Sequence, residues 1–398
     1  MLDIIGKVLA FLGTVWSFLL GVLNSVWPFL AAVLLFGIVI FVHELGHFTF
    51  ARLFKIKVNE FALGMGPKLF SRKRKNTLYS LRIFPFGGFC AMGEDDEIPE
   101  DALQNNDESD NGKDILFRQA KVWKRILVIA GGAIFNIIFG LILVIIMTAI
   151  LANLNSLPST TVDKFAENSI SEASGLQIGD KIVSINGRAI YNSDDVNYML
   201  MLNREGVYEM TVIRGGERII LENVKLPLVP IDENDENSRM FPKRDFRFRA
   251  IKPSFETVLS QGTMKTVSIG RFTWMSLTDL ISGRVDIAEM SGPVGITQSM
   301  GNVVGEAAKT AASEENGVQW AFVFLLNFIA LITINLGMFN LLPIPALDGS
   351  RIVFLVIEGI RRKPIPPKKE GMVHAIGLAI LLLFIIAISF KDVWFIFK

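Results

Sequence analysis

"FVHELGHFTF", residues 41–50, sets two histidines and a glutamate inside a hydrophobic run that extends from Trp27 to Phe50. A run of about 20 predominantly apolar residues is long enough to cross a bilayer as a helix. On that helix His43 and His47 are four apart, so they share one face and can present two imidazoles to one metal ion. Glu44 lies alongside, free to act as a base. In such an H-E-x-x-H arrangement the glutamate takes a proton from zinc-activated water and later delivers it to a leaving amine. The plainer alternative makes the histidines polar contacts between membrane helices, and Glu44 between them argues against it.

Outward from this stretch the composition agrees. Of the 398 residues 51% are hydrophobic and 20% charged, which points to a membrane protein rather than a soluble domain. The net charge of +1 lacks the basic excess of a phosphate-binding surface, so no nucleic-acid partner is expected. With Cys90 the single cysteine, a four-cysteine zinc site and an intramolecular disulfide are excluded. A metal here must be held by His, Asp or Glu.

Three further apolar runs follow: Ile126–Leu151, Ala321 to about Leu342, and Met372–Phe390. Residues 1–26 carry a small or polar stripe (Ala10, Gly13, Ser17, Gly21, Asn24) opposite apolar residues, and read as an accessory or interfacial helix in preference to a fifth span. No basic stretch or small-residue cleavage site marks them as a removed signal peptide. Residues 27–54 then form the first span with the HExxH motif. Residues 55–123 form a cytoplasmic-side, membrane-associated β-sheet with an acidic loop, and 124–152 the second span. A linker and surface amphipathic helix occupy 231–318, the third span 319–350, a cytoplasmic loop 351–370 and the fourth span 371–396. Lysine and arginine crowd the stretches after the first span and before the last, which places both on the cytoplasmic side and the region between the second and third spans outside.

That outer region contains "SGLQIGDKIVSINGRAI" (174–190), where a Gly-Asp turn leads into a strand with Ile182, Ser184 and Asn186 against Val183 and Ile185, then an Asn-Gly hairpin turn. It resembles a PDZ domain, placed at 158–230. Nearer the first span, "FALGMGPKLF" (61–70) and "NTLYSLRIFPFGGF" (76–89) read as strands. The strand-forming segment from Asn59 to Phe89 offers an edge to which an unwound substrate can add as a further strand.

A catalytic zinc site takes three protein ligands and an open position. His374 and Asp348 are both available as the third. Asp348, in "NLLPIPALDG" (340–349), is the outstanding one, because an unpaired carboxylate at the membrane edge is costly and a cation is its natural partner. His374 fits better as a packing residue.

"HELGH" in the first span, "NLLPIPALDG" at the end of the third, and a PDZ-like stretch between them resemble the bacterial site-2 proteases of the regulator-of-sigma-E type. "FPFGGF" (84–89) and "SGPVGI" (291–296) are similar to further parts of that family, so the resemblance runs over nearly the whole chain. It implies an α-helical polytopic membrane protein with four core transmembrane helices, a membrane-associated β-sheet and an inserted extracytoplasmic PDZ-like domain. It further implies an intramembrane zinc metalloprotease of the bacterial cell membrane, with zinc on His43, His47 and Asp348 and Glu44 as base. Implied substrates are single-pass membrane proteins, such as anti-sigma factors and remnant signal peptides. Asn340 and Asn335 are expected near the substrate backbone. "GGAIFN" (131–136) corresponds to a glycine and asparagine motif of the family and brings Asn136 into the same group, although the proline usual after its first glycine is absent. A rival function is a catalytically silent zinc-binding scaffold that recruits partners through the PDZ domain.

Overall fold

The computed structural model describes residues 33–92, 114–154, 157–203, 205–230, 240–283, scattered positions from 292 to 310, and 316–396. The accessory helix expected over 1–26, most of the acidic loop and most of "SGPVGI" lie outside these residues. Among the described residues, four helices are long and apolar enough to cross a membrane: α1 (Val33–Leu53), α2 (Val122–Asn153), α6 (Gly317–Asn340), and Lys368–Asp392 within α8 (Pro367–Ile396).

The chain forms two compact units, one drawn from Met1–Gly140 and Met275–Lys398, the other from Leu141–Trp274. In the first, glycines let helices approach closely. A Cβ at Gly46 on α1 would collide with the carbonyl of Gly131 on α2, and one at Gly140 on α2 would collide with Ile334 on α6. Small residues at such crossings are the usual means of packing helices in lipid, where apolar burial between helices drives nothing.

The segments 61–70 and 76–89 are strands, in β1 (Glu60–Arg74) and β2 (Thr77–Ala91). Both are bent. Residues 60–63 lie opposite 78–81 and also opposite 88–91, while 68–74 lie opposite 77–82. The bends fall at Gly64 (φ 86°) and Gly87 (φ 85°), a region of backbone space that side chains strongly disfavour. Among the described residues, 88–91 pairs on one side only and is an edge. Buried beneath the ribbon, Glu60 accepts hydrogen bonds from Ser80 (2.5 Å) and Arg82 (2.8 Å). Ala51, Ile56, Val58, Phe61, Cys90 and Val128 form the core at its base.

After α6 the chain leaves regular helix at "LLPIPAL" and starts again as α7 (Asp348–Arg361). The expected third span over 319–350 is therefore two helices with a loop between them, and the expected loop over 351–370 begins inside a helix. The arginines of that stretch masked its apolar spacing, Val353, Val356, Ile357 and Ile360, which is helical. Buried Asp392 accepts the backbone N–H groups of Gly292 and Gly295, each at 2.8 Å.

The second unit is a sheet in the order β8 (Phe246–Ala250), β3 (Pro158–Phe165), β4 (Lys181–Ile185), β6 (Val207–Arg214), β7 (Glu217–Lys225), with the short β5 (Arg188–Ala189) also on β4. The Asn186-Gly187 turn joins β4 to β5, both residues at positive φ. The expected alternation along β4 does not hold: Ile182 and Ile185, three apart, are the fully buried pair. A bulge between Ile182 and Ser184 against β6 shifts the register by one and turns Ile185 inward. After the short α3 (Ile170–Ala173) comes helix α4 (Ser193–Leu202), capped by Asn192, whose side chain accepts from the Asp194 and Asp195 N–H groups. Within 231–318, where a linker and an amphipathic helix were expected, the chain forms helix α5 (Phe255–Ile281). Its polar face grips that cap, with Ser268 on Asn192 (2.9 Å), Lys265 on Asp194 (2.7 Å) and Arg271 on Asp195 (3.4 Å), and Phe272 stacks on Tyr198.

Candidate metal centre

His43 and His47 project from one face of α1, their rings perpendicular with centroids 4.8 Å apart. Asp348, in the first turn of α7, reaches the same point. His43 Nε2 lies 3.1 Å from Asp348 Oδ2, His47 Nε2 lies 3.3 Å from it, and the two Nε2 atoms are 3.2 Å apart. Glu44, half-buried, points from the same turn of α1 toward the sheet edge: a Cβ on Gly88 would lie 3.1 Å from Glu44 Cγ, and the Cys90 backbone amide hydrogen-bonds the Glu44 carboxylate.

The protons decide what this triangle is. His47 Nδ1 lies 2.9 Å from the carbonyl of Val128. A carbonyl only accepts, so Nδ1 carries the proton of the neutral ring, and Nε2 turns a lone pair toward Asp348. Asp348 Oδ2 is buried without a hydrogen-bond partner although two imidazole nitrogens flank it. Lone pairs crowded in this way repel unless a cation stands between them. Two ligands at about 2.0–2.1 Å from tetrahedral zinc stand about 3.3–3.4 Å apart, so edges of 3.1–3.3 Å suit one face of that tetrahedron. The donor set fits zinc.

The loop before Asp348 is held from several sides. The Ile344 N–H donates to the Leu342 carbonyl (2.7 Å), Ser350 Oγ donates to the Leu347 carbonyl (2.8 Å), and the Ala346 N–H donates to His374 Nδ1 (3.3 Å). Ala346 sits at φ 78°, which costs an L residue about 1–3 kcal/mol and persists where surrounding contacts over-determine it. His374 thus props the loop and is absent from the cluster of metal-ligating side chains.

Of the expected asparagines, Asn136 reaches the triangle, with Nδ2 3.3 Å from His43 Nδ1. Asn340 is buried as the last residue of α6, and Asn335 is half-buried on the same helix. Gly132 was not singled out from the sequence, yet a Cβ there would fall 2.5 Å from His43 Cε1 and 2.6 Å from His47 Nε2. The Gly131-Gly132 pair on an apolar helix was the available signal.

The model of peptidase family M50 matches residues 31–384, a span that takes in both histidines and Asp348. The chain belongs to peptidase family M50. A Clostridium perfringens protein named as a zinc metalloprotease is 34% identical over 366 residues, which cover 92% of this chain and 98% of that one. The regulator of sigma-W protease RasP of Bacillus subtilis is 30% identical over 437 residues, covering 91% and 97%. The zinc metalloprotease RasP of Bacillus licheniformis is 30% identical over 434 residues, covering 91% and 98%. This M50 member is accordingly a zinc metalloprotease, with zinc as its cofactor.

Proposed function

We propose that His43, His47 and Asp348 hold the zinc, that Glu44 is the general base, and that the enzyme cuts membrane-spanning substrates in the manner of a site-2 protease. The observation that carries this reading is the triangle of lone-pair atoms, two on the membrane-length α1 and one at the start of α7, with Glu44 set between it and a sheet edge. Held by His43, His47 and Asp348, a zinc ion would supply Lewis-acid polarisation of the scissile carbonyl and would acidify the attacking water. Glu44 takes the proton of that water and passes it to the leaving amine nitrogen, which makes peptide departure possible. The edge at 88–91 offers backbone groups to an unwound substrate strand and so fixes its carbonyl near the site. Bent at Gly87 and pinned by the Glu60–Arg82 pair, that edge is preorganised for the task. Asn340 and Asn335, near the α6 terminus, are assigned to the substrate backbone.

The four apolar helices and the family support a multi-pass protein of the bacterial cell membrane, with the β1–β2 ribbon lying at the cytoplasmic side. Substrates of the anti-sigma-factor type and remnant signal peptides fit a relative named for regulating sigma-W. The sheet unit around the Asn186-Gly187 hairpin is read as an extracytoplasmic PDZ-like domain that filters substrates by the size of their outer part. The test uses purified full-length protein and a single-pass model substrate. Wild type should bind one zinc and cleave; Glu44→Gln should keep the zinc and lose cleavage by about 10⁴-fold or more. Cleavage surviving in Glu44→Gln would sink the mechanism, and a wild type that binds zinc without cutting would favour the scaffold.

A further inference from the structure

Asn136 has no solvent-exposed surface. On α2 it is wedged between α1 and α6: its backbone carbonyl accepts from the Thr333 hydroxyl (3.4 Å), and a Cβ at Gly337 would lie 3.3 Å from its own Cβ. A side chain so enclosed is poorly placed to touch a substrate. It is well placed to touch His43.

We propose that Asn136 is a positioning residue of the metal centre, its side-chain oxygen accepting the Nδ1 proton of His43 and so fixing the tautomer whose Nε2 lone pair faces the zinc. The proposal rests on the ligand assignment above. As placed, the amide puts Nδ2 beside His43 Nδ1, and Oδ1 has no partner. In that orientation Nδ1 accepts, so the proton of the neutral ring sits on Nε2, and His43 cannot ligate through it. Half a turn of the amide exchanges nitrogen for oxygen with the same heavy-atom outline. The turn trades one unpartnered atom for another, so counting hydrogen bonds does not choose between the two; the metal does. With Oδ1 facing Nδ1, His43 acquires the proton placement that the Val128 carbonyl gives His47. Each ligand histidine then donates its outer proton to a fixed acceptor, the usual device for orienting a metal-bound imidazole.

The experiment measures zinc affinity of the full-length protein in detergent by competition with a chelator, and the absorption spectrum of the cobalt-substituted protein. Asn136→Leu removes the acceptor and should weaken zinc about 10–100-fold, with a changed cobalt spectrum. Asn136→Asp keeps an acceptor and should bind zinc within about threefold of wild type or more tightly. If Asn136→Leu fails to fold, as judged by thermal unfolding of the metal-free protein, Asn136→Asp decides alone. Wild-type zinc affinity in Asn136→Leu, or loss of zinc in Asn136→Asp, overturns the proposal. His43→Ala and Asp348→Asn run alongside: if they lose zinc while Asn136→Leu keeps it, the positioning role alone fails. If they too keep zinc, the ligand assignment fails and takes this inference with it.

Discussion

Replacing Gly132 by alanine adds one methyl group at the closest approach of α2 to the two histidines. Its Cβ would lie 2.5 Å from His43 Cε1, 2.7 Å from His43 Nδ1 and 2.6 Å from His47 Nε2, where ordinary contact begins at 3.4 Å. Both rings must recede by about 0.8–0.9 Å, or α2 must move away from α1. Neither escape is free. The His47 ring is tied to Val128 and the His43 ring to Asn136, both on α2, so a shift of that helix drags the acceptors along. Metal–ligand distances tolerate only about ±0.2 Å. Zinc affinity should therefore fall about 10–100-fold, equivalent to about 1.4–2.8 kcal/mol, with cleavage falling in step. Chelator competition reads the affinity. Gly371→Ala serves as control, because a Cβ there meets nothing within 4 Å. Wild-type zinc affinity in Gly132→Ala would refute the reasoning, since no arrangement of three ligands around one ion could absorb the methyl group at that point.

Other perturbations separate the parts of the site. Gly88→Val places a Cβ 3.0 Å from the Ala62 carbonyl and 3.1 Å from Glu44 Cγ, so zinc content should hold while cleavage drops about 10²-fold, the usual cost of misplacing reacting groups by about 1 Å; loss of zinc instead would show that the edge supports the metal. Arg82→Ala strands the buried Glu60 carboxylate, which should cost about 3–5 kcal/mol in thermal or denaturant unfolding, and adding Glu60→Gln should recover part of it. His374→Ala should keep zinc and slow cleavage about fivefold through loss of one loop hydrogen bond of about 1 kcal/mol; an empty metal site in this variant would promote His374 to a ligand. The Ile251 N–H donates to the Leu157 carbonyl at 2.8 Å, so the chain enters and leaves the sheet at neighbouring points. Excising residues 158–250 should then allow cleavage of substrates whose outer domain has not been trimmed, and a deletion that still cuts only trimmed ones would end the filter reading.

The parts legible in the sequence are those with short-range rules. Helical spacing alone sets His43 and His47 on one face, and length with apolarity marks the four long helices. The Asn-Gly turn was equally plain, since few residue pairs accept positive φ twice in succession. What escaped depends on partners distant in sequence. The reversal of β2 around residues 60–63 follows from where two glycines bend, and the bulge at Ile182 follows from its pairing with β6. Pro343 and Pro345 account for the break after Asn340, but the helix beyond it was not expected, because its arginines suggest a loop. Asn136 was noticed as a motif residue, and its place behind His43 depends on the α1–α2 crossing that Gly46 and Gly131 permit. A backbone carbonyl such as Val128, which settles the His47 tautomer, leaves no mark in a sequence at all.

The central claim is that one zinc ion sits on His43, His47 and Asp348, and zinc-edge X-ray absorption of the purified protein tests it most directly. Wild type should show a single zinc with two imidazole nitrogens and carboxylate or water oxygens, all at about 2.0–2.2 Å, and Asp348→Asn should lose zinc or one oxygen scatterer. A sulfur scatterer at about 2.3 Å, which Cys90 alone among the cysteines could supply, or a spectrum and zinc content unchanged in Asp348→Asn, would contradict it.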